Sequence, residues 1–151
     1  MDAGSPDKDV SRVPDPLEDL LGYWLRRAST AMMADLGSSL APADLRPTEA
    51  TILILIRANP GLTQSDIGRV LGIARANMAP LMGGLLKRGF IQKSRVDGRS
   101  QSLALTELGV DKVCAAQTII DAHEARFRDR LGVALLPDMI TALRTLAGSE
   151  T

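Results

Sequence analysis

The chain has 151 residues, 45% hydrophobic and 24% charged, a size and balance that fit one soluble globular domain with a real core. Its longest aliphatic run, Ile52 to Ile56, is far too short to span a bilayer, so no membrane association is expected. A single cysteine, Cys114, excludes an intrachain disulfide and a cysteine-rich zinc site; with one histidine besides, little is left for a metal site or a nucleophile and its base, so neither cofactor nor catalysis is expected.

Net charge is formally zero, but the charges are segregated. Between residues 61 and 105 seven basic residues face two acidic ones, a net +5, and the remainder carries −5. This reads as a basic module on an acidic scaffold, the electrostatic footprint that phosphate binding needs, although solvated surface charge gives the same pattern.

In chain order, Met1 to Asp19 is acidic, contains prolines and lacks the apolar stretch of a secretory signal, so residues 1–16 are expected to be a frayed arm of a cytoplasmic protein. Leu17, Leu20, Leu21, Trp24, Leu25, Ala28, Met32 and Leu36 recur every three to four residues and predict a helix from Leu17 to Leu40. Ile52 to Ile56 is β-branched enough for a strand, but Pro47 suits a first helical position and Asn59-Pro60-Gly61 a stop, so a buried second helix is predicted. Thr63 is placed to cap a helix over Gln64 to Leu71, Gly72 breaks it, and Ala74 to Arg88 forms the next, with Met78, Leu81, Met82 and Leu85 on one face. That is helix-turn-helix spacing. Phe90 to Arg95 and Ser102 to Leu105 read as strands of a hairpin with Arg99 at its tip. Thr106 caps a long helix from Glu107 to Arg130, where Val113, Ala116, Ile120 and Phe127, with His123 between, read as a partner-facing seam. Pro137 opens a last helix carrying Met139, Ile140, Leu143 and Leu146.

The fold class is therefore mainly α with a small β-hairpin wing: a winged helix-turn-helix module (47–106) on a helical dimerisation scaffold (17–46 and 107–147), together one domain over 17–151. The chain resembles the MarR family of transcription regulators from about Leu17 to Leu146. The resemblance rests on Gly61-Leu62-Thr63-Gln64-Ser65-Asp66-Ile67-Gly68, Leu71-Gly72-Ile73, Leu85-Leu86-Lys87-Arg88-Gly89-Phe90-Ile91, Asp97-Gly98-Arg99-Ser100 and Leu105-Thr106-Glu107-Leu108-Gly109 in combination. It implies a homodimer built from the terminal helices, with one winged module per subunit bound to double-stranded DNA at a pseudo-palindromic operator. It also implies control by a small molecule, frequently a phenolic or aryl carboxylate or its thioester, which points to aromatic compound catabolism. Two departures stand out. Pro80 falls inside the recognition helix, where a proline removes a hydrogen bond and predicts a kink or an altered groove fit, and the hairpin tip is short.

For DNA, Arg75 and Asn77 suit base edges, since arginine pairs bidentately with guanine and asparagine with adenine; phosphate contact or plain solvation is the alternative. Arg99 resembles the family's minor-groove arginine. Thr63, Gln64, Ser65, Lys93, Arg95 and Gln101 are candidate phosphate ligands, Lys87 a further candidate DNA contact, and Asp97 an orienting partner for an arginine. For an effector, Tyr23, Trp24 and Arg27 offer a hydroxyl, a stacking surface and a carboxylate partner, with His123 behind them; packing roles explain the same residues. On helix geometry Tyr23 and Arg27 share a face and Trp24 points about 100° away, so the pair is favoured over the triple. Two other functions fit the sequence: a winged-helix module that docks a protein without binding an operator, and a redox-responsive regulator using Cys114.

Overall fold

The computed structural model describes residues 16–96 and 100–148. Helix α1 spans Leu21–Leu40 and passes through a 3-10 turn, Ala41–Ala43, into α2, Pro47–Ala58. Residues 17–19, predicted as helix, form a turn instead, and α1 begins behind an extended Leu20 with no side-chain cap. The leucine spacing continues through this turn, and spacing alone does not distinguish a turn packed along a helix from another helical turn. The aliphatic run Ile52 to Ile56 is helical, as Pro47 foretold: Glu49 Oε2 accepts the Arg46 N–H at 2.9 Å, closing the first turn of α2.

Helix α3, Gln64–Leu71, ends at Gly72, whose φ of 63° is in the left-handed region that glycine enters without strain. The Ile73 N–H then returns to the Gly68 carbonyl at 2.9 Å, and the chain enters α4, Arg75–Lys87. Gly68 suits this tight corner, since a Cβ there would stand 3.2 Å from the Ile73 carbonyl oxygen and 3.3 Å from Met78 Cγ, closer than most side chains pack. Strands β1, Ile91–Val96, and β2, Ser100–Leu105, pair antiparallel from Ile91↔Leu105 to Val96↔Ser100. The hairpin is anchored to the head of α3 by an isolated bridge, Thr63↔Ser102, and by the Leu103 N–H donating to the Leu62 carbonyl at 2.9 Å.

Helix α5, Glu107–Leu131, starts against the hairpin base, and a second 3-10 turn, Val133–Leu135, leads to α6, Leu136–Leu146. Thr106 fixes the junction: its hydroxyl accepts the Gly109 N–H at 3.0 Å and donates to the Gly89 carbonyl at 2.5 Å. Only glycine fits at 109, where a Cβ would lie 1.9 Å from the Phe90 carbonyl oxygen. Leu53, Ile56, Ile67, Met78, Leu85 and Phe90 sit in one core that continues through Leu36 and Leu40 of α1 and Val113 and Ala116 of α5.

This continuity corrects the reading of α5. Val113, Ala116 and His123, expected to face a second subunit, are buried within the chain, where α5 packs on α1 and α2. A 3-4 repeat reports that a face is covered and says nothing of which chain covers it. The uncovered apolar side chains lie elsewhere. Leu21 and Trp24 are exposed on α1, as are Val133, Leu135, Met139, Ile140, Leu143 and Leu146 after α5, and α6 carries no buried residue.

Candidate nucleic-acid interface

The local sequence of α3 builds the rim of an open cleft between α3, the start of α4 and the hairpin. Thr63 caps α3 reciprocally: its backbone N–H and hydroxyl donate to Asp66 Oδ2 at 3.0 and 2.7 Å, and its Oγ1 accepts the Asp66 N–H at 3.2 Å. The Thr63 hydroxyl proton is thus engaged by Asp66. These bonds from Thr63, side chain first and then backbone, hold the Asp66 carboxyl below its ordinary 3.8, and the Arg69 guanidinium, 3.2 Å from Asp66 Oδ1, adds to them.

Thr63, Gln64, Ser65, Arg75, Lys93 and Gln101, singled out separately in the sequence, line this one cleft of about 920 Å³, with Ile73, Met78 and Leu103 at its floor. Polar hydrogen-bonding groups and three cations over an apolar floor suit a polyanion's backbone better than a small apolar ligand. The third cation, Arg69, was not picked out in the sequence. The signal was present, because Ser65 and Arg69 are four apart and so share a face of α3.

The other predicted contacts lie outside the cleft. Asn77 is exposed on α4, and exposed Lys87 stands about 18 Å along the helix axis from Arg75. Arg95 falls within β1, but its side chain, like Asp97 and Arg99 entirely, lies outside the described residues. Pro80 is accommodated inside α4, which runs without interruption from Arg75 to Lys87. Arg88, counted in the basic excess, is committed to the fold: it donates to Glu49 Oε1 at 2.5 Å and to the Asp44 carbonyl at 2.8 Å and lies 4.9 Å from the Phe90 ring centroid. Lys112 covers the same ring at 5.2 Å and donates to the Ala43 carbonyl at 2.7 Å.

The second predicted group sits on α1. Contrary to the expectation from helix geometry, all three of its side chains meet: the Tyr23 and Trp24 rings make an edge contact at 5.3 Å, and the Arg27 guanidinium lies over both, 5.3 and 5.6 Å from their centroids. Rotation of the side chains brings the rings together although their Cβ directions lie about 100° apart. Arg27 also donates to the Tyr23 hydroxyl at 2.7 Å, and Trp24 Nε1 to the Glu18 carbonyl at 2.7 Å. Trp24 is half exposed, so the packing explanation for it fails within one chain. His123 does not join this group. It is buried against Phe127, with Nε2 3.0 Å from the Met32 carbonyl, nine residues and about 13 Å along α1 from Tyr23. Cys114 is exposed on α5. Among the described residues no cluster of His, Cys, Asp or Glu suits a metal ion, and no helix is long and apolar enough to cross a membrane.

Comparison with known proteins gives this geometry a context. The profile of the MarR family matches residues 43–100, which contain the whole of α2, α3, α4 and β1. The structure of the transcriptional repressor CouR bound to a 23-mer DNA duplex superimposes with a TM-score of 0.85 at 33% identity, covering 91% of this chain and 99% of CouR. CouR bound to p-coumaroyl-CoA superimposes with a TM-score of 0.81 at 32% identity, over 87% and 94% of the two chains. A protein of Thauera aromatica named for transcriptional regulation of the hcr operon is 26% identical over 129 residues, 83% of this chain and 78% of its own length. The cleft thus lies on a fold that repressors share over nearly their whole length, and the chain belongs to the MarR family of transcription regulators.

Proposed function

We propose that this chain is a cytoplasmic homodimeric repressor that binds a pseudo-palindromic operator and is released by a small aromatic acid or its thioester, in the control of aromatic compound catabolism. The observation that carries the reading is the likeness to one repressor, CouR, in both its DNA-bound and its p-coumaroyl-CoA-bound structures. In this reading residues 47–106 read DNA, while 17–46 and 107–147 assemble the dimer. The exposed leucines of α1 and α6 supply an apolar face that one subunit leaves uncovered, and a two-fold axis would set the recognition helices about 10 base pairs apart.

The cleft residues Gln64, Ser65, Arg69, Lys93 and Gln101 hold the phosphate backbone, together with Lys87 and Arg95, while Thr63, its two donors taken by Asp66, sets the head of α3. Arg75 and Asn77 reach base edges, and Arg99 enters the minor groove. The effector binds at Tyr23, Trp24 and Arg27. An exposed group on one helix is only one wall of a site, so a second subunit supplies the rest, and the carboxylate or thioester acyl group approaches the Arg27 guanidinium. The effector acts only through unequal affinity for two arrangements of the wings; a 5- to 150-fold loss of DNA affinity corresponds to about 1 to 3 kcal/mol of coupling.

The test is operator binding by fluorescence anisotropy with wild type, Arg75→Ala and Arg99→Ala, followed by titration of p-coumarate, benzoates and their CoA thioesters. Each substitution weakens binding by about 1 to 3 kcal/mol and leaves the dimer intact. Arg27→Ala and Tyr23→Phe raise the effector concentration needed for release. A monomer at micromolar concentration overturns the assembly, unchanged DNA affinity in both variants overturns the DNA face, and equal release of wild type and both α1 variants overturns the effector site.

A further inference from the structure

Helix α4 buries Met78, Met82 and Leu85 and exposes Ala76, Ala79, Pro80, Gly83 and Lys87. At 100° per residue, Ala76, Pro80, Gly83 and Lys87 fall within about 60° of one another, opposite the core. Arg75 is on the flank toward the α3 cleft, and Pro80 borders the groove on the other flank, beside Asp44 and Pro47. The centre of the outward face therefore carries no long side chain before Lys87, in the last position of the helix.

Pro80 changes what this face offers. In an α-helix the carbonyl of residue 76 is the acceptor for the N–H of residue 80, and proline has none. The proline Cδ stands in the donor's place, so the Ala76 oxygen has no N–H of residue 80 to accept from. On helix geometry the oxygen falls on the exposed side of α4, on the face that carries Ala76, Ala79, Pro80 and Gly83, none of which has a long side chain.

We propose that the Ala76 carbonyl, released by Pro80, reads one base directly, accepting a hydrogen bond from an exocyclic amino group in the major groove. Such donors are the N6 amino group of adenine and the N4 amino group of cytosine; guanine and thymine present acceptors there. An acceptor desolvated against a base edge without a donor is penalised, so the contact discriminates as well as binds. This rests on the operator-binding reading above and adds a position to it: the helix reads with its backbone at residue 76 and with a side chain at Arg75.

The experiment selects preferred sites from a random duplex pool with full-length wild type and with Pro80→Ala, then replaces single bases in the selected site. Purine for adenine and 2-pyrimidinone for cytosine each remove only the amino group. Wild type loses about 10-fold in affinity at one base pair per half-site when the amino group is removed. Pro80→Ala, whose restored N–H recaptures the Ala76 oxygen, loses less than about 2-fold at that pair and keeps the other preferences. Alanine is a better helix former than proline, so the variant folds, and its circular dichroism and salt dependence of binding stay as in wild type. An equal loss in both proteins, or no amino-dependent loss in wild type, overturns the proposal while leaving operator binding intact. A wild type that selects no sequence overturns the operator reading itself.

Discussion

The stretch from α2 to β2 and the terminal helices solve the problem of burial in different ways. From α2 to β2 the chain buries Ile52, Leu53, Ile67, Met78, Leu85 and Phe90 in a core that Leu36 and Leu40 of α1 and Val113 and Ala116 of α5 complete, with its corners set by Gly68 and Gly72. The outer ends of α1 and α6 leave leucines in the open, Leu21 63% and Leu146 60% exposed, and Val133 in the turn before α6 is 81% exposed. One region has a finished interior; the other has an apolar surface of the kind that marks an interface. Substitutions in the first should act on folding at any protein concentration, and substitutions in the second on self-association.

The largest effect is expected where the two regions join. Gly109→Ala drives a methyl group onto the Phe90 carbonyl, and neither backbone segment has room to yield, so a loss of about 4 kcal/mol or more is expected, read as insolubility or a collapsed melting transition. A near-normal melt would mean that α5 sits further from the hairpin than described. Next is Leu85→Ala in the closed core, costing about 3 kcal/mol independently of concentration. Its counterpart Leu143→Ala on α6 should change the melt of a dilute sample by less than about 0.5 kcal/mol and weaken self-association in sedimentation. If both variants behaved alike, the contrast between the regions would be lost.

Glu49→Gln leaves the half-buried Arg88 guanidinium without its carboxylate and is expected to cost about 2 kcal/mol by chemical denaturation, less than a fully buried pair because Arg88 keeps some access to water. A smaller effect than that of Glu49→Gln belongs to the α3 cap, where Thr63→Ala costs about 1 kcal/mol. Asp66 gives that cap a pH signature. Its carboxyl is held below 3.8 by the bonds from Thr63 and by Arg69, so its contribution is fully present above 3.8 and is lost as pH falls through the lower folded value. The stability difference between wild type and Asp66→Asn should be constant from neutrality to about pH 5 and shrink below that; a difference that grows with acid would refute the assignment.

The sequence by itself determined whatever depends on local chemistry. Pro47, Thr63, Gly72 and Thr106 set helix ends because capping and left-handed φ values are decided within a few residues, and these four ends, on three helices, fall where expected. Six of the candidate DNA contacts were legible for the same reason, since their order along a helix-turn-helix and hairpin already fixes which ends come together. Tertiary structure decided the rest. The seam on α5 was visible as a period, but only packing revealed that α1 and α2 of the same chain cover it. Arg88 counted as a free cation until Glu49, 39 residues away, was brought against it. Tyr23 and Trp24 diverge as Cβ directions and converge as rings under Arg27, because rotamers are chosen by neighbours in space. A charge, a period and a side-chain direction are properties of a residue and its near neighbours; what covers, neutralises or stacks on them is set by groups far away in the chain.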